Sequence, residues 1–258
     1  MAAPPALRVV EAGARVYRRT WRGSVISTFL NPALYLLAMG VGLGKLVDQG
    51  GGSSDLALPY LTFLAPGLLA ATAMQTAAGD ASFPVMAGIK WRKTYHATLA
   101  TPIGVRDLVL GHLGWVTIRV AFVSIVYAGI MTAFGATSLL QAALAVPPAV
   151  LLGLAFAAPI TAYTAQLKNE TGLSNMFRFG IVPLFLFSGT FFPITQLPGW
   201  LQPLAYATPL FHGVSLCRGL ALGIGFEAPW AASLAYLAAW AAAGTWLAVR
   251  NMRRRLVV

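Results

Sequence analysis

"FSGTFFPITQLPGW", residues 187–200, starts as the end of a membrane-spanning run and then fills with proline and glycine without becoming polar. An ordinary exit loop turns polar, because backbone released from a helix needs hydrogen-bond partners that water supplies. Here the broken backbone stays in apolar sequence, and at membrane depth such backbone survives only when buried in protein or lining a cavity. The rest of the chain suits that setting. Of its 258 residues, 58% are hydrophobic and 10% charged, and the mean hydropathy is +0.72. That composition excludes a soluble globular domain and indicates an integral membrane protein. The length accommodates roughly six spans of about 20 apolar residues joined by short loops, with no separate soluble domain.

Runs long enough to cross the hydrocarbon layer fall near 24–44, 60–82, 108–134, 141–165, 174–191 and 228–249. The net charge of +11 fits this scheme. Arg8, Arg15, Arg18, Arg19 and Arg22 precede span one, and Lys90, Arg92, Lys93 and Arg106 separate spans two and three. Lys168 and Arg178 separate spans four and five, and Arg250, Arg253, Arg254 and Arg255 close the chain. All of these fall on one side, whereas the opposite loops hold Lys45 and Arg218 with Asp48, Asp55 and Glu227. This is the positive-inside asymmetry of cytoplasmic N- and C-termini, and it points to anionic headgroups rather than nucleic acid. No short apolar core with a small-residue cleavage site opens the chain, so span one is expected to act as its own insertion signal.

Two cytoplasmic segments carry helical patterning. In residues 1–23, Leu7, Val10, Ala14, Tyr17 and Trp21 recur at steps of three and four, with Arg8, Glu11, Arg15, Arg18 and Arg22 opposite. They read as an amphipathic helix lying in the interface, either a topology anchor or a contact for a cytoplasmic partner. The second segment is "AGIKWRKTYHATLATPIGVRD", residues 87–107. It predicts a short helix near 88–102 with Trp91, Tyr95, Thr98 and Leu99 on one face, Lys90, Arg92, Lys93 and His96 on the rest, and a stop at Thr101-Pro102. Such a helix either packs on the interface or passes a partner's movement to the membrane domain.

The interfacial helix, six spans, "WRKTYHATLATPI" after span two (residues 91–103) and "FLFSGTFFPITQLPGWLQPLAYATPLFHGVSLCRGL" around and after span five (residues 185–220) together resemble an ABC-2 type exporter permease. The likeness covers nearly the whole chain and is greatest to permeases of Nod-type lipo-chitooligosaccharide exporters and daunorubicin-resistance type drug exporters. It implies an all-α polytopic protein of six transmembrane helices with a re-entrant helical hairpin between spans five and six, near 192–222. Gly189, Phe191, Phe192, Pro193, Pro198, Trp200 and Pro209 fall in or beside that segment, where the prolines break and restart short helices. The resemblance further implies residues 24–258 as one ABC-2 transmembrane domain in the bacterial inner membrane, a second copy of the permease, and two copies of an ABC ATP-binding subunit. Trp91, Arg92, Tyr95, His96 and Leu99 would form the socket for that ATPase. The exported substrate would be amphipathic: a lipid-linked oligosaccharide, a glycolipid or a drug.

The chain itself offers no nucleotide site. "GVGLGKL", residues 40–46, lacks the four-residue gap between glycines and has Leu46 where Ser or Thr would hold magnesium. ATP and magnesium are therefore expected on the partner, with no cofactor or metal on this chain. Cys217 has no second cysteine to pair with, and His96, His112 and His212 lie in unrelated segments. Asn169-Glu170-Thr171 matches a glycosylation sequon but falls on the cytoplasmic side, which makes it a chance match. Without a clustered acid-base or nucleophilic set, a lipid-modifying enzyme is the weaker alternative, as is a channel or scaffold. Arg119, deep in span three, needs a partner or water; Asp80 of span two reaches it only if both side chains extend. That pair is either structural or part of the transport pathway.

Overall fold

The computed structural model describes residues 4–49 and 58–257, and every regular element among them is helical. Asp55, assigned above to an outer loop, lies outside these residues, as do residues 1–3 of the first amphipathic segment. Helix α1 (Pro5–Tyr35) continues through a wider π-helical stretch, Leu36–Leu43, into α2 (Gly44–Gln49). Helix α3 (Tyr60–Met86) likewise runs on through a π-helical turn, Ala87–Trp91. Short α4 (Thr94–Leu99) leads to α5 (Val105–Ala133) and α6 (Leu139–Thr164). Next, α7 (Thr171–Met176) passes through π-helical Phe177–Ile181 into α8 (Val182–Phe187). A bend holding a single 3₁₀ turn, Ile194–Gln196, and α9 (Gln202–Tyr206) precede α10 (Pro209–Leu222) and α11 (Trp230–Leu256).

Among the described residues four helices are long and apolar enough to cross a membrane: Tyr60–Trp91, Val105–Ala133, Leu139–Thr164 and Trp230–Leu256. They coincide with expected spans two, three, four and six. Expected spans one and five correspond to shorter apolar helical stretches, Pro32–Leu46 and Thr171–Phe187. The expected boundary at residue 23 coincides with no break in α1, which instead lies along α5 in parallel. Gly111 of α5 admits the Ala6 carbonyl and Val9, and Gly13 admits Trp115; a Cβ at either glycine would come within 2.8 Å of its neighbour. These glycine-mediated contacts, with the edge-on Tyr17–Trp115 rings at 5.9 Å, align the amphipathic half of α1 with α5.

Helix α6 is the centre of the bundle, in contact with α3, α5, α10 and α11. Its buried face is largely alanine, including Ala142, Ala145, Ala149, Ala155 and Ala158. In a bilayer, where lipid is as apolar as a core, close backbone approach between small residues supplies the packing energy. Gly153 accordingly receives Val120 of α5, Gly213 of α10 receives Leu152, and Gly244 of α11 receives Pro159. Pro147, Pro148 and Pro159 interrupt the ladder of α6, yet the helix stays intact among these neighbours.

Helix α10 runs antiparallel to α6. Thr137, just before α6, donates its hydroxyl to the Ala221 carbonyl; the Cys217 thiol faces the Ala145 carbonyl at 3.5 Å; and Leu152 covers Gly213. Leu152 is about 20 Å along α6 from its first residue, so α10 begins level with the middle of α6 and ends level with its start.

Arg218 fixes this arrangement. It is only 2% exposed, donates from Nε to the Phe63 carbonyl at 3.3 Å and from an Nη to the Gly189 carbonyl at 2.8 Å, and pairs with Glu227. Its guanidinium lies 3.8 Å over the Phe63 ring. Gly189 has φ +82°, a left-handed conformation that reverses the chain after α8 and turns its carbonyl to the arginine. On α3, a Cβ at Gly67 would meet the Thr190 carbonyl at 2.8 Å and the arginine at 3.1 Å, so only glycine fits there. Arg218→Met should leave the Phe63 and Gly189 carbonyls without their buried donor, costing about 1–3 kcal/mol. Thermal unfolding in detergent should show a clear drop in midpoint, with Arg218→Lys recovering only part; an unchanged midpoint in Arg218→Met would remove this residue as the tie.

Candidate functional site

The reversal at Gly189 brings the quoted stretch back against its own helix and opens a groove of about 660 Å³. One wall is Tyr35 with the π-helical stretch that follows it, another is Tyr60 at the start of α3, and the third combines Phe185 and Phe187 of α8 with Phe191 and Phe192 of the bend. Phe185 stands edge-on to Tyr35 at 6.1 Å and to Phe191 at 4.9 Å, so its ring links two walls. The lining is aromatic and apolar, with Gln196 the amide at its margin. A groove of this kind binds ring faces and acyl surface, and among the described residues its lining holds no carboxylate, histidine, cysteine or serine.

Of the residues singled out in this segment, Phe191, Phe192 and Pro193 line the groove and Gly189 makes the turn. Pro198 starts the turn before α9, and Pro209 opens α10 behind Thr208, whose hydroxyl caps Phe211 N–H at 3.3 Å. Trp200 is 79% exposed and outside the groove. The phenylalanines crowding span five divide: Phe185 and Phe187 face the groove, Phe177 stacks on Phe83 at 6.0 Å, and Phe179 is exposed.

At the opposite end of the bundle the expected coupling helix is shorter than its pattern suggested. Trp91 belongs to the end of the α3 extension, Lys93 takes a left-handed φ of 51°, and only Thr94–Leu99 forms α4. Trp91 and Tyr95 therefore do not share one helical face. Tyr95 turns inward onto Gly88, whose Cβ position is 2.7 Å from its ring, and edge-on to His112 at 6.5 Å. Trp91, Arg92 and His96 are exposed and Leu99 is half-buried.

Trp91 has a partner that the sequence reading passed over. Its indole N–H donates to Glu170 at 2.9 Å, and Lys90 reaches the same carboxylate at 3.5 Å. Glu170 joins α6 to α7, so this contact ties the connection after α3 to the connection after α6. Its carboxyl is held below the usual range, first by its own backbone N–H, then by the Trp91 indole and Lys90. The one available signal was a lone carboxylate between Lys168 and Arg178 on the basic side of the chain.

Asp80 and Arg119 do meet, at 3.1 Å between Oδ2 and Nε, without the alignment of a directed hydrogen bond. The guanidinium also covers the Tyr17 ring at 4.9 Å, so the pair joins α3, α5 and α1. It lines neither the aromatic groove nor the second groove described below. His212 pairs with Ser233 at 3.0 Å, packed between Phe211 and Tyr236. Among the described residues no group of three His, Cys, Asp or Glu could hold a metal ion.

Comparison with known proteins agrees with this arrangement. The profile of the ABC-2 type transporter family matches residues 8–222. "Nodulation protein J" of Rhizobium leguminosarum bv. trifolii is 31% identical, the match covering 81% of this chain and 80% of that protein. The protein of the same name from Rhizobium meliloti (strain 1021) is 28% identical over 80% and 77% of the two chains. "Inner membrane transport permease YadH" of Escherichia coli (strain K12) is 23% identical over 81% and 79%. The profile takes in α3, α5 and α6, the Trp91 connection, the aromatic bend and α10, so the chain belongs to the ABC-2 type transporter family.

Proposed function

We propose that this chain is the membrane subunit of an ATP-driven exporter that moves an amphipathic molecule out of the cytoplasm or inner leaflet of a bacterial inner membrane. The substrate class is a lipid-linked oligosaccharide, a glycolipid or a drug. The observation that carries this reading is the aromatic groove between α1, α3, α8 and the bend. Its rings stack on sugar faces or flat drugs, and its apolar walls accept an acyl chain.

Six spans are reached when Pro32–Leu46 and Thr171–Phe187 are counted with the four long helices. The fifteen basic residues on one side favour cytoplasmic termini. On that orientation the 188–212 segment and α10 descend from the outer face, level at their deepest with the middle of α6, as a re-entrant hairpin. The groove's open side lies on the α1 and α8 edge, where a second copy would close it; exposed Gly42 would permit close approach there, while Gly40 and Gly44 are spent against Leu61 and Tyr60 of α3. Two ATP-binding subunits would use ATP and magnesium, engaging Trp91, Arg92 and His96; Tyr95 and Leu99 would set the angle of α4.

Three measurements test this reading. With cysteine introduced at Gln196 or Gln202, an impermeant thiol reagent should label from outside, and labelling only from the cytoplasm would overturn the six-span count. In proteoliposomes with the ATPase, Phe185→Ala with Phe187→Ala should cut export about tenfold or more while leaving ATPase binding intact, since buried aromatics often contribute 2 kcal/mol or more each. Normal export by that variant would remove the groove as the pathway.

Trp91→Ala should uncouple hydrolysis from export, whereas charge removal at Lys93 should do little. The lowered Glu170 carboxyl means that its tie is present above the ordinary carboxylate range and is lost as pH falls through the depressed value. Glu170→Gln at neutral pH should thus show the weakened coupling that the unaltered chain shows only in acid. Full coupling in Trp91→Ala with Glu170→Gln would leave this contact a surface strut.

A further inference from the structure

A second groove, of about 610 Å³, runs between α5, α6 and α11. Leu110, Leu151 and Leu154 form its sides and Ala238 and Ala242 its floor, so the trough is narrow and flush with the helices. The Thr245 hydroxyl is spent on the Ala241 carbonyl at 2.8 Å, which makes the wall apolar throughout. Arg106 borders the groove at one end. Arg250 follows the last α11 residue of the lining, with its guanidinium 5.3 Å over the ring of Trp246.

Two observations say what fits there. The first is length. From Val249 to Ala238 is eleven residues of helix, about 16 Å, which is half of the roughly 30 Å hydrocarbon layer. The second is charge. Asn251 donates to the Ala162 carbonyl at 3.0 Å, which places Arg250 level with the last turn of α6. Gly153 meets Val120, and counting along antiparallel α5 and α6 puts Arg106 at that same level. Neither arginine has a carboxylate partner among the described residues, and the neighbouring Asp107 is turned to the Gly104 N–H at 3.3 Å. The groove therefore begins at a headgroup layer with two free cations and ends at the middle of the bilayer.

We propose that it binds one anionic glycerophospholipid of the leaflet at the basic ends of the helices. The phosphate lies between Arg106 and Arg250, Trp246 sits at the headgroup boundary, and one acyl chain fills the trough between α5, α6 and α11. The bound lipid bridges three helices. The site does not depend on what the protein transports.

Native mass spectrometry of the purified chain with added phosphatidylglycerol, against phosphatidylcholine, tests it. One phosphatidylglycerol should be retained per chain in preference to phosphatidylcholine, and Arg106→Gln with Arg250→Gln should weaken retention about 30-fold. Ala242→Phe, which fills the exposed floor without entering the buried core, should abolish retention of that lipid. It should also remove the rise in unfolding midpoint that phosphatidylglycerol gives the unaltered chain. Arg254→Gln, on the far face of the same helix from the groove, should change neither. Equal retention of both lipids, undiminished retention in Ala242→Phe or in the double arginine variant, or crosslinking between chains through Ala242→Cys would overturn the proposal.

Discussion

A guanidinium with almost no access to solvent has to be satisfied by the protein, and Arg218 is satisfied by three separate segments at once: α3, the reversal after α8, and the connection that follows α10. A buried charge left unpartnered costs several kcal/mol, so these segments are not free to choose other positions. Gly67 must lack a side chain for the reversal to approach, and Gly189 must adopt a left-handed φ to present its carbonyl. The apolar, proline-rich bend is held by this side chain, by the Thr208–Ser188 hydroxyl pair at 3.1 Å, by the Gln202 amide donating to the Leu197 carbonyl at 2.9 Å, and by its own buried cluster of Ile194, Leu197, Ala205 and Phe211. The groove exists because the bend is pinned there.

The rest of the bundle is held by a different kind of force. Alanines along α6 and glycines facing it bring helices close enough for dispersion to act over many atoms, which is the available source of packing energy among apolar helices in lipid. Such packing is strong but undirected. Direction comes from few polar contacts: Arg119 with Asp80 and Tyr17, Thr164 donating to the Ala81 carbonyl at 3.2 Å, and Asn251 donating to Ala162. These three join α1 to α5, α3 to α6, and α6 to α11 respectively, and Thr137 and Cys217 do the same between α6 and α10, so these seams have polar contacts that set their register.

What could be read in the sequence was what depends on composition and long period. Expected spans three and four coincide closely with their helices, whereas the helices of two and six run on past the apolar runs to Trp91 and Leu256; the Asp80–Arg119 pair followed from the cost of an unpartnered charge. Spans one and five were harder to delimit, because π-helical stretches at Leu36–Leu43 and Phe177–Ile181 change the period within apolar sequence. The face shared by Trp91 and Tyr95 failed for a local reason: one left-handed residue, Lys93, breaks the period between them, and lysine gives no warning of positive φ as glycine would. Arg218 was counted as a loop charge. Its burial depends on a carbonyl 155 residues away, a separation no local pattern conveys.

The two ends of the molecule are joined by continuous helix. From Trp91, the α3 helix runs unbroken to Tyr60 in one wall of the groove; from Thr171, next to Glu170, the α7–α8 helix runs to Phe187 in another. The Trp91–Glu170 contact thus lies at the far root of two groove walls, and the Phe83–Phe177 stack couples the same two helices between them. A helix transmits displacement along its axis with little loss, but a π-turn winds more loosely and is frequent where helices yield. Here one π-turn, Ala87–Trp91, lies at the Trp91 end of the first lever, and another, Phe177–Ile181, part-way up the second. A push on Trp91 therefore reaches the groove through two arms of unequal stiffness, and unequal movement of two walls opens or closes the space between them. On the proposed function this is how work done by an ATPase at one face would change an aromatic groove at the other, with Arg218 tying the groove ends of the two helices together at Phe63 and Gly189.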